Sequence, residues 1–109
     1  KAMAIITNDA WWGDTPGYKQ HLSYASLRAI ETRRAIARCA NTGISAIISP
    51  SGKIIQPTPW WEPAVIENRI PLRDDITFFV AHGDICGRLC TFLFCLLLLS
   101  LAVRFAVRK

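Results

Sequence analysis

Between Asn8 and His21 the chain reads NDAWWGDTPGYKQH, which puts two side-chain amides, two carboxylates, adjacent indoles and an imidazole into one short stretch. Amide and acid side chains at Asn8 and Asp9 can orient a reacting group, although the same pair also fixes turns through side-chain hydrogen bonds. Trp11 and Trp12 can lie at a membrane interface, where tryptophan is favoured, and one of the two is expected to pack in the core. Gln20 and His21 can orient the loop from the first turn of a following helix. His21 reads first as a structural hydrogen-bonding residue and second as a proton shuttle.

Other chemistry is poorly supplied. Cys86, Cys90 and Cys95 fall in or beside an apolar run and Cys39 stands apart, so no CxxC pair of the zinc type exists. Neither a phosphate-binding glycine loop nor a His-rich ligand set is present, and no metal or cofactor is expected. The formal charge of +5 does not form one basic tract: Arg28, Arg33, Arg34 and Arg38 are dispersed, and Arg104, Arg108 and Lys109 follow the apolar run. An interleaved basic and aromatic surface is missing, which argues against nucleic acid as a partner.

The elements that must position these residues follow from pattern. Lys1 to Thr7 is a short apolar run ending at Asn8-Asp9, the signature of a buried strand opening into a loop. Gly13, Asp14, Thr15, Pro16 and Gly17 form that loop. From about Tyr18 to Ala40 neither Pro nor Gly interrupts, and Leu22, Ala25, Ala29, Ile36 and Ala40 fit one helical face, which predicts a single long helix. On its surface Glu31 can pair with Arg28 and Arg34. Asn41-Thr42-Gly43 is a stop signal, and Ile44 to Ser49 with Lys53 to Gln56 across Pro50-Ser51-Gly52 predicts a hairpin. Trp60 and Trp61 among prolines read as a membrane-facing lip or a cap on the core, and Ala64 to Leu72 and Ile76 to Val80 as further strands.

Leu89 to Val103 gives only about 15 uninterrupted apolar residues, or roughly 22 Å of helix, against a hydrocarbon core of about 30 Å. Extending the run from Ile85 to Val107 closes that gap, with Arg88 and Arg104 near the two interfaces, where their side chains can snorkel. The domain expectation is therefore a body over residues 1–84 and a transmembrane helix with a short basic tail over 85–109. A body of roughly 80 residues is small for an enzyme core. The chain starts at Lys1 in an apolar stretch without an initiator Met or a signal-peptide pattern, which reads as the C-terminal fragment of a longer protein.

The NDAWWGD loop, the GYKQH after it, SLRAIETRR, ARCANTGISAII and the terminal apolar helix together resemble the C-terminal part of the bacterial apolipoprotein N-acyltransferase family, a membrane branch of the nitrilase superfamily. The resemblance covers nearly the whole chain and is loosest over residues 57–84. It implies an α/β fold: a partial nitrilase-like αββα sandwich, of the carbon-nitrogen hydrolase kind, followed by one C-terminal transmembrane helix. It also implies a multi-pass enzyme of the bacterial inner membrane, with residues 1–84 periplasmic and the C-terminus cytoplasmic. Such enzymes move an acyl chain from a phospholipid to the N-terminal diacylglyceryl-cysteine of an apolipoprotein. The reaction passes through a thioester and uses a cysteine nucleophile, a glutamate base and a lysine at the oxyanion.

Those catalytic residues are expected upstream of Asn8, so the fragment alone is expected to be inactive. Cys39, Glu31 and Glu62 are poor replacements: Cys39 is expected near a helix end, Glu31 on a solvated face and Glu62 in a Pro-rich loop. No catalytic residue is assigned in this chain, and Asn8, Asp9, Trp11, Trp12 and His21 are expected to bind substrate. The implied partners are a phospholipid acyl donor, an apolipoprotein acceptor, membrane lipid and the upstream remainder of the same polypeptide. A membrane-tethered amidase on the same fold, and a non-catalytic membrane protein that binds a partner, remain as alternative readings.

Overall fold

The computed structural model describes all of residues 1–109. The chain divides into two units, Lys1–Thr77 and Phe78–Lys109. In the first, β1 (Met3–Thr7) leads through a single 3-10 turn (Ala10–Trp12) into α1 (Gly17–Thr32), followed by β2 (Ile36–Ala40), β3 (Ala46–Ile48) and β4 (Ile54–Ile55). The strands form one sheet in the order β1-β2-β3-β4.

β1 and β2 run parallel in the register Met3↔Ile36 to Thr7↔Ala40. Parallel neighbours need a crossover, and α1 supplies it. β2 and β3 are antiparallel, with Ile36↔Ile48 and Arg38↔Ala46 opposed, and β4 closes a hairpin on β3 with Ile47↔Ile55. The hairpin turns where Pro50-Ser51-Gly52 predicts it: Gly52 N–H donates to Ser49 O at 2.9 Å.

The core lies between α1 and one face of the sheet. Tyr18, Leu22, Ala25 and Ala29 are the buried residues of α1, at spacings of four, three and four that make one helical stripe. Leu22, Ala25 and Ala29 meet Ile36, Ala46 and Ile48, with Met3, Ile5 and Ile44 at the margin. Two of the three helix residues in this cluster are alanines, which lets the helix approach the sheet closely and leaves little slack for larger side chains.

The opposite face of the sheet is open. Ile6 is 88% exposed and Val65 97% exposed. A cavity of about 370 Å³ on this side is lined by Ala4, Ile6, Ala37, Cys39, Ile47 and Val65, among others. The unit thus supplies one helix layer and one sheet layer, the αβ half expected of a partial sandwich.

Three expected elements are corrected. The long helix ends at Thr32, not Ala40, because Arg33 takes a left-handed conformation (φ 50°) and the Arg33 and Arg34 amides close onto the carbonyls of Ile30 and Ala29. Ile36 to Ala40, placed on the helix by its spacing, is instead the central strand β2. The run Ala64 to Leu72 pairs with no strand, being interrupted by Pro71 and carrying Glu67, Asn68 and Arg69. Ile76 to Val80 was expected as a strand, yet Phe78–His82 is a short helix, α2, in which the Phe78 and His82 rings stack one turn apart at 4.4 Å.

In the second unit α3 covers Ile85–Val107, the bounds expected from the extended apolar run. Asp84 caps it, accepting from the Gly87 N–H at 2.8 Å. Its 23 residues span about 34 Å and contain no buried side chain. By length and composition α3 is able to cross a bilayer.

The two faces of the sheet should respond unequally to truncation. Ile36→Ala, at a position with no exposure, is expected to cost about 2–5 kcal/mol, whereas Ile6→Ala on the open face should change stability by less than about 0.5 kcal/mol. Thermal unfolding of the 109-residue chain followed by near-UV circular dichroism checks the contrast, and equal losses at both positions would contradict the core described above.

Candidate functional site

Asp9 is the structural centre of the Asn8–His21 stretch. It lies two residues beyond the end of β1 and is 1% exposed. Three side chains donate to its carboxylate: Thr7 Oγ1 at 3.0 Å and His21 Nδ1 at 2.8 Å on one oxygen, and Arg38 Nη2 at 2.6 Å on the other. Its own backbone N–H donates to Asn41 Oδ1 at 3.1 Å. The Arg38 side chain is 1% exposed, so this is a fully buried ion pair. Its second terminal nitrogen donates to the Ile44 carbonyl, which ties the loop after β1 to the turn between β2 and β3.

A charge withdrawn from water this completely persists only when its partners are close and its lone pairs are occupied. Both conditions hold here. Burial by itself raises the Asp9 pKa, but the hydrogen bonds from Arg38 and His21, the Arg38 charge and the Thr7 hydroxyl together outweigh it and hold the carboxyl below its ordinary value. Asp9 is therefore held as the anion in preference to the acid.

The same contacts fix His21. A carboxylate only accepts, so the bond to Asp9 places the imidazole proton on Nδ1. Nε2 is left as the ring's other nitrogen, on a side chain that is 39% exposed. Arg38 Nη2 lies 3.5 Å from Nδ1, and the two donors share the carboxylate between them.

Asn8 and Asn41 extend the network across the ends of the parallel strands. Asn41 Nδ2 donates to Asn8 Oδ1 at 2.8 Å, and the Ala10 N–H donates to the same oxygen at 3.1 Å. Asn41 Oδ1 also accepts from the Thr42 N–H at 3.0 Å. The C-terminal ends of β1 and β2 are thus locked to each other, at the place in a parallel sheet where ligands are usually met.

The tryptophans stand on this base. Trp11 is 83% exposed and Trp12 45%, so neither packs in the core, contrary to the expectation for one of them. The turn Ala10–Trp12 presents both outward, and it closes through Gly13, whose backbone (φ 53°, ψ −154°) is one that side-chain-bearing residues avoid. Trp12 is steadied by Gly17: a Cβ built there would stand 2.6 Å from the indole ring. Its ring centroid lies 6.3 Å from that of His21. Trp60 is the core cap, stacked on Tyr18 at 5.1 Å, while Trp61 beside it is 57% exposed. Trp61 is attached to the β2–β3 turn by its N–H, which donates to Thr42 O at 2.6 Å.

Of the five expected site residues, Asn8, Asp9 and His21 are joined in one hydrogen-bonded group, Trp12 borders it, and Trp11 extends away from it. Gln20 is exposed beside it. Arg38, Asn41 and Thr7 belong to the group and were not singled out from the sequence. Placing Arg38 on a helix surface hid it; the alternation Ile36, Arg38, Ala40 on one side of a strand is the signal that finds it. Cys39 also changes place, from a helix end to the exposed, opposite face of β2. It lines an open cavity of about 530 Å³ together with Asn41, Ser45, Thr58 and Glu62, and no hydrogen bond joins the thiol to Glu62. Glu31 pairs with Arg28 at 2.8 Å, as expected, and not with Arg34.

Residues 1–75 match the carbon-nitrogen hydrolase family model. Among curated proteins the chain is 41% identical over 102 residues to the apolipoprotein N-acyltransferase of Chlorobaculum tepidum, which covers 94% of this chain and 19% of that protein. Identity to the protein of the same name from Geobacter metallireducens is 39% over 90 residues, covering 83% of this chain and 17% of the relative. A third, from Agrobacterium fabrum, is 56% identical over 54 residues, which is 50% of this chain and 10% of its own. The chain thus spans about a fifth of the length of these relatives.

The lowered Asp9 pKa fixes the sign of an acid dependence. A carboxyl more acidic in the folded than in the unfolded state contributes stability that is complete above its unfolded value of about 3.9 and is lost as pH falls through the folded one. Urea titrations between pH 6 and pH 2 should show this loss, and Asp9→Asn should flatten that part of the profile while lowering stability at pH 6. Arg38→Met alone leaves a lone buried anion and should cost about 3–5 kcal/mol, more than Asp9→Leu and Arg38→Met combined. Additive losses would contradict the coupling. Gly17→Ala is expected to displace the Trp12 indole, read as a shift in the tryptophan emission maximum that is absent when Trp12→Phe is already in place.

Proposed function

The chain belongs to the carbon-nitrogen hydrolase family, and from that premise we propose that it is the C-terminal portion of an apolipoprotein N-acyltransferase. The observation that carries this reading is the extent of the similarity. The family match ends at residue 75, whereas the 102-residue match to the Chlorobaculum tepidum protein takes in 94% of the chain and extends into α3. A membrane-tethered amidase on the same fold would carry such a helix as well, and what favours the acyltransferase over it is the name shared by the relatives matched.

The reaction transfers an acyl chain from a phospholipid to the α-amino group of a diacylglyceryl-cysteine by way of a thioester. In the first step the base takes the thiol proton, the thiolate attacks the lipid ester, and the lysophospholipid alkoxide leaves with the proton returned by the base. In the second the amine attacks the thioester, gives its proton to the base and expels the thiolate, which the base reprotonates. The nucleophile, its base and the oxyanion lysine come from the remainder of the polypeptide, and this portion by itself is inactive. Its own residues build a wall of the site. Asp9, Arg38 and Asn41 hold the loop after β1 rigid; Asn8 and His21 present polar edges at the sheet end; Trp11 and Trp12 offer aromatic surface to the acyl chain of the donor.

The phospholipid donor, the apolipoprotein acceptor and the surrounding membrane lipid are the partners on this reading. The protein sits in the bacterial inner membrane, with residues 1–84 forming the periplasmic part and 85–109 the final span. Arg104, Arg108 and Lys109 support a cytoplasmic C-terminus, since positive charge accumulates on that side.

A segment exchange tests the proposal. Residues 1–109 replace the matching segment of the Chlorobaculum tepidum protein, and acyl transfer from phospholipid to a diacylglyceryl-cysteine peptide is measured in membranes. Retained transfer is expected, with none from the 109-residue chain alone. Trp11→Ala with Trp12→Ala in the exchanged protein should raise KM for the phospholipid by about tenfold, as loss of binding surface does. A membrane-inserted, folded exchange protein that hydrolyses amides and transfers no acyl group would overturn the reading.

A further inference from the structure

Positive charge is distributed differently at the two ends of α3. At the N-terminal end Arg88 stands one turn after Asp84, so charges of both signs meet there. From Ile85 to Lys109 there is no acidic residue, and the C-terminal end carries Arg104, Arg108 and Lys109 alone. Arg104 and Arg108 are one turn apart, on the same face as Leu101 and Phe105, which lie three residues before each of them. These four side chains enclose a groove of about 120 Å³. Both arginines are exposed, and neither guanidinium has an ion-pair partner.

Depth adds a second constraint. The 23 residues of α3 span about 34 Å, slightly more than a hydrocarbon core of about 30 Å. The last turn therefore emerges at headgroup level, with Leu101 and Phe105 against acyl chains and both guanidinium groups among phosphates. An arginine fork matches the oxygens of a phosphate in a bidentate manner, and two forks one turn apart can take one phosphate from both sides. Compensation of the helix dipole accounts for one basic residue in the last turn, not for an apolar groove closed by a pair.

We propose that Leu101, Arg104, Phe105 and Arg108 form a binding site for the phosphodiester of an anionic glycerophospholipid in the leaflet at the C-terminal end of α3. The site is separate from the Asp9 loop and would hold a structural lipid rather than the acyl donor. It rests on the reading of α3 as a membrane span and is indifferent to the reaction catalysed.

The test uses the full 109-residue chain in lipid nanodiscs, with retained lipid identified by native mass spectrometry after exposure to equimolar phosphatidylglycerol and phosphatidylcholine. At about fivefold per guanidinium, preference for phosphatidylglycerol should be on the order of twentyfold. Arg104→Gln with Arg108→Gln should bring it to parity. Arg104→Lys with Arg108→Lys keeps the charge and removes the forks, so it separates a shaped site from diffuse attraction: a clear loss is expected, and full retention would overturn the proposal. Parity in the unaltered chain would also overturn it. Displacement of the lipid by millimolar inorganic phosphate would make free phosphate the ligand and defeat the assignment to lipid. Oriented circular dichroism on the same samples reports insertion independently: failure to insert removes the span and this site together, whereas insertion without lipid preference removes only the site.

Discussion

The buried contact between Asp9 and Arg38 is what the remainder of the Lys1–Thr77 unit is arranged around. Arg38 comes from the middle of β2 and Asp9 from the loop just after β1, so their 2.6 Å contact ties that loop to the neighbouring parallel strand. It can form only if β2 presents Arg38 on the side facing α1, which requires the helix to stop at Thr32 and the register to run from Met3↔Ile36 to Thr7↔Ala40. A slip of one residue would turn the arginine to the open face and bury Cys39 in its place. Helix length, strand register and loop conformation are therefore all conditions of that one contact.

That requirement also divides the loop's residues by role. The groups that look most reactive in the sequence, Asp9 and the Nδ1 of His21, are fully occupied with each other and with Arg38. The groups left exposed are the Trp11 and Trp12 indoles and the Nε2 edge of His21. A loop with a neutralised interior and an indole surface is suited to an apolar chain more than to a charged ligand. The open face of the sheet, with Ile6 in solvent and Ala4, Ala37 and Ile47 lining a cavity, has the composition of an interior surface, and it agrees with a chain that spans about a fifth of its relatives.

The legible parts of the fold were those governed by local rules. Strand β1, the hairpin turn at Pro50-Ser51-Gly52 and the bounds of α3 follow from periodicity, turn formers and apolar length, none of which needs a distant partner. Residues 36–40 were not legible, because positions four apart satisfy a helix and, counted in twos, a strand equally well. What decides between them is the left-handed turn at Arg33 and the pairing with β1, and neither is marked by a glycine or proline. The site divides in the same way. Asn8, Asp9 and His21 lie close in sequence and were found together. Arg38 and Asn41 reach Asp9 across sequence separations of 29 and 32, and a contact of that separation has no local signature.

Occupancy of the Asp9 carboxylate by three side chains bears on how this sequence can drift. Replacing either member of the ion pair first strands the other as a lone charge in a dry interior, so the path from one viable sequence to another passes through a poorly folded intermediate. The two positions can therefore change only together. Trp11, held only through the backbone of the turn, is under no such bond to the interior.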